Sequence, residues 1–361
     1  MTEKIKYAII GAGCMGQEHI LNIGLIDDAE VVALCDTSEK SIQESLDLLT
    51  NDVAIFDNYN DLIEANIANA FIIATPNFTH IDVLKDVMRS EVHLLIEKPL
   101  CTTVKDCQEF EKLAENYPGV IWTAMEYRYM PPVQRMIKEI HNKTIGDLKM
   151  LSIREHRFPF LHKVDDWNRF AVKTGGTLVE KCCHFFDLMR LITQSEPTKV
   201  YASGNIDVNH LDETYDGMTP DIIDNAFVIV DFENGVRAFL DLCMFAENSE
   251  YQEELCAVGS IGKIETEVPS NASGITNSDI RIGMRDEQTA FKENITVDPK
   301  IHDAGHHGST YYEHTSFINA IRNNTESEVT LRDGLIAVAI GEAAEKSIKE
   351  GRVVQMSEFN L

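Results

Sequence analysis

The chain has 361 residues, 44% of them hydrophobic and 25% charged, with a formal net charge of −27. That length exceeds one ordinary core and predicts two domains of a soluble globular protein. The acidity works against binding nucleic acid or an anionic membrane surface, and no long apolar run suggests a leader or a membrane span, so a cytoplasmic protein is expected.

The first element is a strand over 6–10 that stops at Gly11 and opens a helix over 15–25. The turn reads G-x-G-x-x-G, with Cys14 and Met15 between the second and third glycines. Gly11 permits the tight turn, Gly13 lets backbone approach a diphosphate, and Gly16 lets the helix lie close to the strand. The N–H groups and dipole of the helix start suit an anion. A second apolar strand, over 31–36, ends in Asp36, twenty residues after Gly16. A carboxylate there accepts from a ribose 2′-hydroxyl and repels a 2′-phosphate, so NAD is favoured over NADP.

Short strands and helices then alternate: strands over 53–56, 70–75, 92–96 and 120–124, and helices over 61–65, 79–89 and 104–116. That alternation predicts a parallel sheet covered on both faces, with ligands beyond its carboxyl edge. The residues just past the strands are therefore candidates: Thr75-Pro76-Asn77, Glu97-Lys98-Pro99 and Glu126-Tyr127-Arg128. Lys98, directly after a buried strand, is aimed at the ligand crevice, where it could move a proton or polarise a reacting oxygen.

At this point the chain resembles the Gfo/Idh/MocA family of sugar and polyol oxidoreductases. The matching pieces are Gly11 to Gly16, Asp36, Thr75-Pro76-Asn77 with His80, Glu97-Lys98-Pro99, and in the second half Gly175-Gly176-Thr177-Leu178 with Glu180 and His184. The resemblance implies an N-terminal Rossmann domain over 1–125. It also implies a C-terminal α/β domain over 126–361 with an open, mostly antiparallel sheet, bound NAD or NADP, and hydride transfer at a sugar or polyol carbon. Lys98 and His184 would be the catalytic pair. A departure is Glu180, where many members carry Asp.

In the second half, a helix over 132–141 leads to a strand over 149–156 and a loop over 157–173. Trp167 and Arg169 of that loop are expected near the nicotinamide, as in relatives. Gly175-Gly176 precedes a helix over 177–193, on which Glu180 and His184 are four apart and share a face. A carboxylate beside an imidazole suits a base that collects a hydroxyl proton. Five further strands are expected, over 199–207, 224–232, 236–245, 254–259 and 262–268, with a hairpin at Asn234-Gly235. An open sheet face predicts a homodimer or homotetramer. His306 and His307, before a helix over 311–322, are expected to reach a sugar, as is Arg128. A final helix over 331–350 is expected to serve packing.

The eight cysteines include no C-x-x-C pair and read as reduced, buried thiols. Zinc held by Cys182, Cys183 and His184 would need ligands from helical neighbours that point apart, so no metal is expected. The leading reading is an NAD-dependent dehydrogenase. Alternatives are a glycosidase using transient oxidation and a sugar sensor without catalysis.

Overall fold

The computed structural model describes residues 3–270 and 273–361, which divide into two compact units. The first extends to Tyr129 and also takes Asp298–Leu335; the second takes Met130–Val297 and Ile336–Leu361.

In the first unit six parallel strands stand in the order β3-β2-β1-β4-β5-β6. They are β1 (Ile5–Ile10), β2 (Ala29–Cys35), β3 (Ala54–Phe56), β4 (Ala70–Ile73), β5 (His93–Ile96) and β6 (Ile121–Thr123). The apolar runs that predicted them are apolar because both faces are covered: Ala8, Ile9, Leu34, Ile72, Leu94 and Leu95 have no exposed surface. Strand order reverses between β1 and β4, the position where such sheets open a crevice at their carboxyl edge.

The segment Asp298–Leu335 groups with the first unit. Its helix Ser309–Asn323 carries Phe317, fully buried against the rings of Tyr7 (6.3 Å) and Trp122 (5.9 Å). Burying one such ring contributes roughly 1.5–3 kcal/mol. Nothing local in the sequence reveals a partner some two hundred residues away.

The second unit holds a nine-stranded mixed sheet, ordered β14-β13-β12-β11-β7-β10-β9-β8-β15. Its strands are β7 (Leu148–His156), β8 (Pro197–Asn205), β9 (Asn225–Phe232), β10 (Arg237–Cys243), β11 (Tyr251–Gly259), β12 (Gly262–Pro269), β13 (Asn277–Met284), β14 (Phe291–Thr296) and β15 (Val354–Gln355). Among the described residues every pairing in this sheet is antiparallel except β7 with β10. The Asn234-Gly235 turn forms, with Gly235 at φ +82° and the Asn234 side chain accepting from Val236 N–H (3.1 Å).

The two edge strands, β14 and β15, escape a reading of apolar pattern because one is polar and the other only two residues long, and β13 beside the edge carries few apolar residues. Along β9, Ala226, Val228 and Val230 point into the core while Phe227 and Ile229 are exposed. Phe239 of β10, Met150 of β7 and Tyr201 of β8 extend that exposed apolar face, and Phe227 stacks on Phe239 at 5.6 Å. Among the described residues no helix is long and apolar enough to cross a membrane.

Candidate functional site

At the glycine turn, Gly11 sits at φ +99°, and a Cβ there would overlap the Ala74 carbonyl at the end of β4. A Cβ on Gly16 would overlap the Gly11 carbonyl, so helix Cys14–Ile23 starts hard against the turn. A Cβ on Gly13 would meet nothing within 4 Å beyond its own chain neighbours. Two glycines thus serve close packing and the middle one faces open space, while Cys14 and Met15 form the first helical residues. Asp36 accepts from Ala12 N–H (2.7 Å) and Ser38 N–H (2.7 Å), so its carboxylate is fixed to the same turn.

Past β4, Asn77 is buried and its side-chain Nδ2 has no protein partner. An orphaned amide at the carboxyl edge, an open glycine and a fixed carboxylate fit an NAD molecule laid over the switch point. Thr75 bonds through its hydroxyl to Thr79 (2.8 Å), and Pro76 opens the turn that carries Asn77. His80, expected at the cofactor, is completely buried and sets its ring nitrogens 3.0 Å from the Thr75 and Pro99 carbonyls. Burial holds its pKa below the ordinary value, and a neutral ring donates to one of the two. It ties the loop after β4 to the loop carrying Lys98.

Glu97 accepts from His19 Nε2–H at 2.9 Å and from the Lys98 backbone N–H at 3.1 Å. His19 in turn shares a hydrogen with His314 across 2.9 Å. Burial alone would raise the Glu97 carboxyl, but the hydrogen bond and charge of His19, with the Lys98 ammonium, bring it below its ordinary value. Lys98 therefore follows an ionised, hydrogen-bonded glutamate rather than standing at a solvated strand end. His19 and His314 carry no sequence signal, because they are nearly three hundred residues apart.

His306 lies in this unit too. Its Nδ1 donates to Glu18 (2.7 Å), and its Nε2 is 4.0 Å from Glu126. His307 faces His302 (3.1 Å), and burial takes its pKa down to about 4. Arg128, expected on substrate, donates to the Glu328 carbonyl (2.8 Å) and stands 3.4 Å from Asp333, which makes it a tie for the segment 328–333.

In the second unit the predicted helix over 177–193 is two: Thr177–Glu180 and Cys183–Thr193, broken at Lys181 and Cys182. Glu180 ends the first and His184 lies in the first turn of the second; both are buried, as is Asp187. Gly175 and Gly176 have φ of +83° and +92°. A Cβ on Gly176 would overlap Glu345, whose Oε1 accepts from Leu178 N–H at 3.0 Å. The glycine pair admits a carboxylate that caps this one-turn helix. Lys181 is buried and paired with Glu155 of β7 at 3.0 Å.

Trp167 is buried, with the Lys163 ammonium 5.1 Å from its ring centre. Arg169 is buried with its Nε donating to Glu213 (2.9 Å). Burial opposes the Glu213 charge, but His210, Tyr215 and Arg169 bring its pKa down to about 2. Arg169 thus ties its loop to the segment around Glu213.

A doubly wound parallel sheet with a diphosphate-fitting glycine turn, joined to a second α/β unit, defines a dinucleotide-binding protein. One family's profiles match both parts: "NAD-binding Rossmann fold" over 5–125 and "C-terminal alpha/beta domain" over 137–356. The chain belongs to the Gfo/Idh/MocA oxidoreductase family, and its first domain is that family's NAD-binding Rossmann domain. It is 26% identical to the uncharacterized oxidoreductase YrbE of Bacillus subtilis, over 99% of this chain and 98% of that one. It is 25% identical to myo-inositol 2-dehydrogenase of Thermotoga maritima, over 98% and 99% of the two chains. Among solved structures, a probable dehydrogenase from Thermotoga maritima superposes with a TM-score of 0.78 at 24% identity, covering 98% of this chain and 100% of that one.

Proposed function

We propose that the chain oxidises a ring hydroxyl of a cyclic polyol of the inositol class, with Lys98 and His184 as its proton-handling groups. The observation that carries this reading is Lys98 itself, set directly after a buried strand of a dinucleotide fold and backed by the Glu97–His19–His314 chain. The inositol dehydrogenases among its relatives support the substrate class. Bound NAD supplies the hydride acceptor. Lys98 polarises the substrate oxygen, and His184, oriented by Glu180, takes the hydroxyl proton. Gly11, Gly13, Gly16 and Asp36 hold the dinucleotide, with Asn77 contributing its amide. His80, Arg128 and Arg169 act through the loops they tie.

A thermal-shift screen of inositols and sugars with NAD present identifies the ligand, because binding raises apparent stability. With that ligand, Lys98→Ala and His184→Ala are each expected to lower kcat by about 100-fold or more while NADH still binds. Full turnover in both variants would defeat the assignment. Net accumulation of NADH separates a dehydrogenase from transient oxidation. Among the described residues no cysteine forms a disulfide, which suits a reducing compartment, so the cytoplasm is the proposed location. The exposed apolar sheet face supports a homo-oligomer.

A further inference from the structure

The first unit buries more acid than the proposed chemistry uses. Glu126 is the third residue past β6, as Lys98 is the second past β5, and the two strands are paired through Ile96 and Thr123. The Glu126 side chain is 2% exposed. The charged groups facing it come from four elements. Glu97 and Lys98 follow β5, His306 precedes helix Ser309–Asn323, Glu313 lies on that helix, and Glu18, behind His306, belongs to helix Cys14–Ile23.

The order of these groups is informative. Glu18 accepts from His306 Nδ1–H (2.7 Å) and from the Thr310 hydroxyl (2.7 Å). Burial pushes the Glu18 carboxyl up, yet His306, Thr310 and His19 together bring it below its ordinary value, so it is ionised. The Nδ1 hydrogen of His306 is thereby committed, and Nε2 is the nitrogen that faces Glu126 at 4.0 Å. Gly305, at φ +115°, lets the loop lie down on Glu18, since a Cβ there would meet the carboxylate. The His306 side chain is 32% exposed, so it stands between the buried acid and solvent.

Hydride transfer brings the nicotinamide ring against the carbon whose oxygen Lys98 is proposed to hold, within a few ångström. Glu126 and Lys98 stand just past the paired ends of neighbouring strands β6 and β5, so Glu126 lies in the field of a ring that is cationic as NAD+ and neutral as NADH. We propose that Glu126 is a charge-compensating carboxyl for the nicotinamide, ionised beside NAD+ and protonated beside NADH, exchanging its proton with solvent through His306. In balance, the alcohol gives a hydride to NAD+ and its hydroxyl proton to His184. The proton that Glu126 gains as the ring loses its charge comes separately from bulk water. Burial and Glu97 push the free Glu126 carboxyl up, against His306 and Lys98, to about 7, where such an exchange occurs near neutrality.

The inference rests on the proposed role of Lys98, and direct binding tests it apart from turnover. A cationic ring favours the carboxylate, so NAD+ should bind roughly tenfold more tightly at pH 8 than at pH 5.5. NADH, identical in its diphosphate and adenosine, should show little such change. Glu126→Gln should flatten the NAD+ dependence at the weaker, low-pH affinity. It should also abolish the proton release seen by calorimetry in buffers of different ionisation enthalpy. His306→Asn, which removes a group that holds Glu126 down, should move the NAD+ rise to higher pH, and it serves if Glu126→Gln does not fold. Equal pH slopes for NAD+ and NADH, or an unchanged slope in the variants, overturn the proposal. A chain that binds NAD+ with this Glu126 dependence but turns over no polyol would overturn the proposed function alone. Lys98-dependent turnover with no Glu126 dependence would overturn this inference alone.

Discussion

Gly13 and Gly16 share a motif but not a physical role, and single methyl groups separate them. Gly13 has an ordinary φ of −77° and open space where a Cβ would go. Gly13→Ala should therefore melt like the parent while NADH binds about tenfold or more weakly, because the methyl occupies the diphosphate approach. Gly16→Ala forces the helix off the Gly11 carbonyl and should cost about 1–3 kcal/mol of stability as well as binding. Fluorescence titration with NADH, paired with thermal melts, reads both effects. Parental NADH affinity in Gly13→Ala would mean that the diphosphate does not cross the open side of the turn.

At the scale of elements, the segment Thr177–Glu180 is one helical turn that could not stand alone. It is held by Glu345, which accepts from Leu178 N–H (3.0 Å), and by the Thr177 hydroxyl on the Ile223 carbonyl (2.6 Å). Burial raises the Glu345 carboxyl, against the Leu178 N–H that lowers it and with Asp221 adding to the rise, to about 7. A carboxyl raised on folding makes the native state bind more protons than the unfolded chain between its ordinary value and about 7. Stability from this group is therefore highest in mild acid and falls as pH rises through that window. Glu345→Gln keeps an acceptor for Leu178 and removes the titration. Relative to that variant, the parent should lose on the order of 1–3 kcal/mol between pH 5 and pH 8. Urea midpoints of both proteins at the two pH values test this, and a constant difference between them would refute it. Glu126 and Glu253, both buried and raised to about 7, tilt the parent in the same direction, and Glu213 in the opposite one at low pH. Only the difference from the variant isolates Glu345.

At the scale of the molecule, the nine-stranded sheet leaves Met150, Tyr201, Phe227, Ile229 and Phe239 exposed on one side. A continuous apolar face of that kind favours self-association. Phe227→Lys combined with Phe239→Lys should reduce the mass measured by light scattering to that of a single chain. The melt should fall and lose its dependence on protein concentration, since assembly stabilises the folded chain by mass action. An unchanged oligomer would move the interface elsewhere, and a parent that is monomeric would dismiss the face as an interface altogether.

Much of the fold was legible from the chain alone, for identifiable reasons. Apolar runs at buried parallel strands, glycines where backbone meets backbone, and the Asn234-Gly235 turn are local consequences of local residues. The same locality exposed Gly11 to Gly16, Asp36 and Lys98 as candidates. What escaped depends on distance along the chain. Polar edge strands such as β14 take their pairing from a neighbour rather than from their own pattern. The 177–193 helix breaks in two where buried Lys181 reaches Glu155. His80 and Arg169, expected at the cofactor from the family resemblance, and Arg128 and His306, expected on substrate, each also have a protein partner that the sequence does not reveal. Sequence determined the strand order's ingredients and the dinucleotide turn, because backbone sterics and burial act residue by residue. Only the tertiary structure decided which acids are buried together, because a carboxyl's charge is set by whatever groups the fold brings within a few ångström of it.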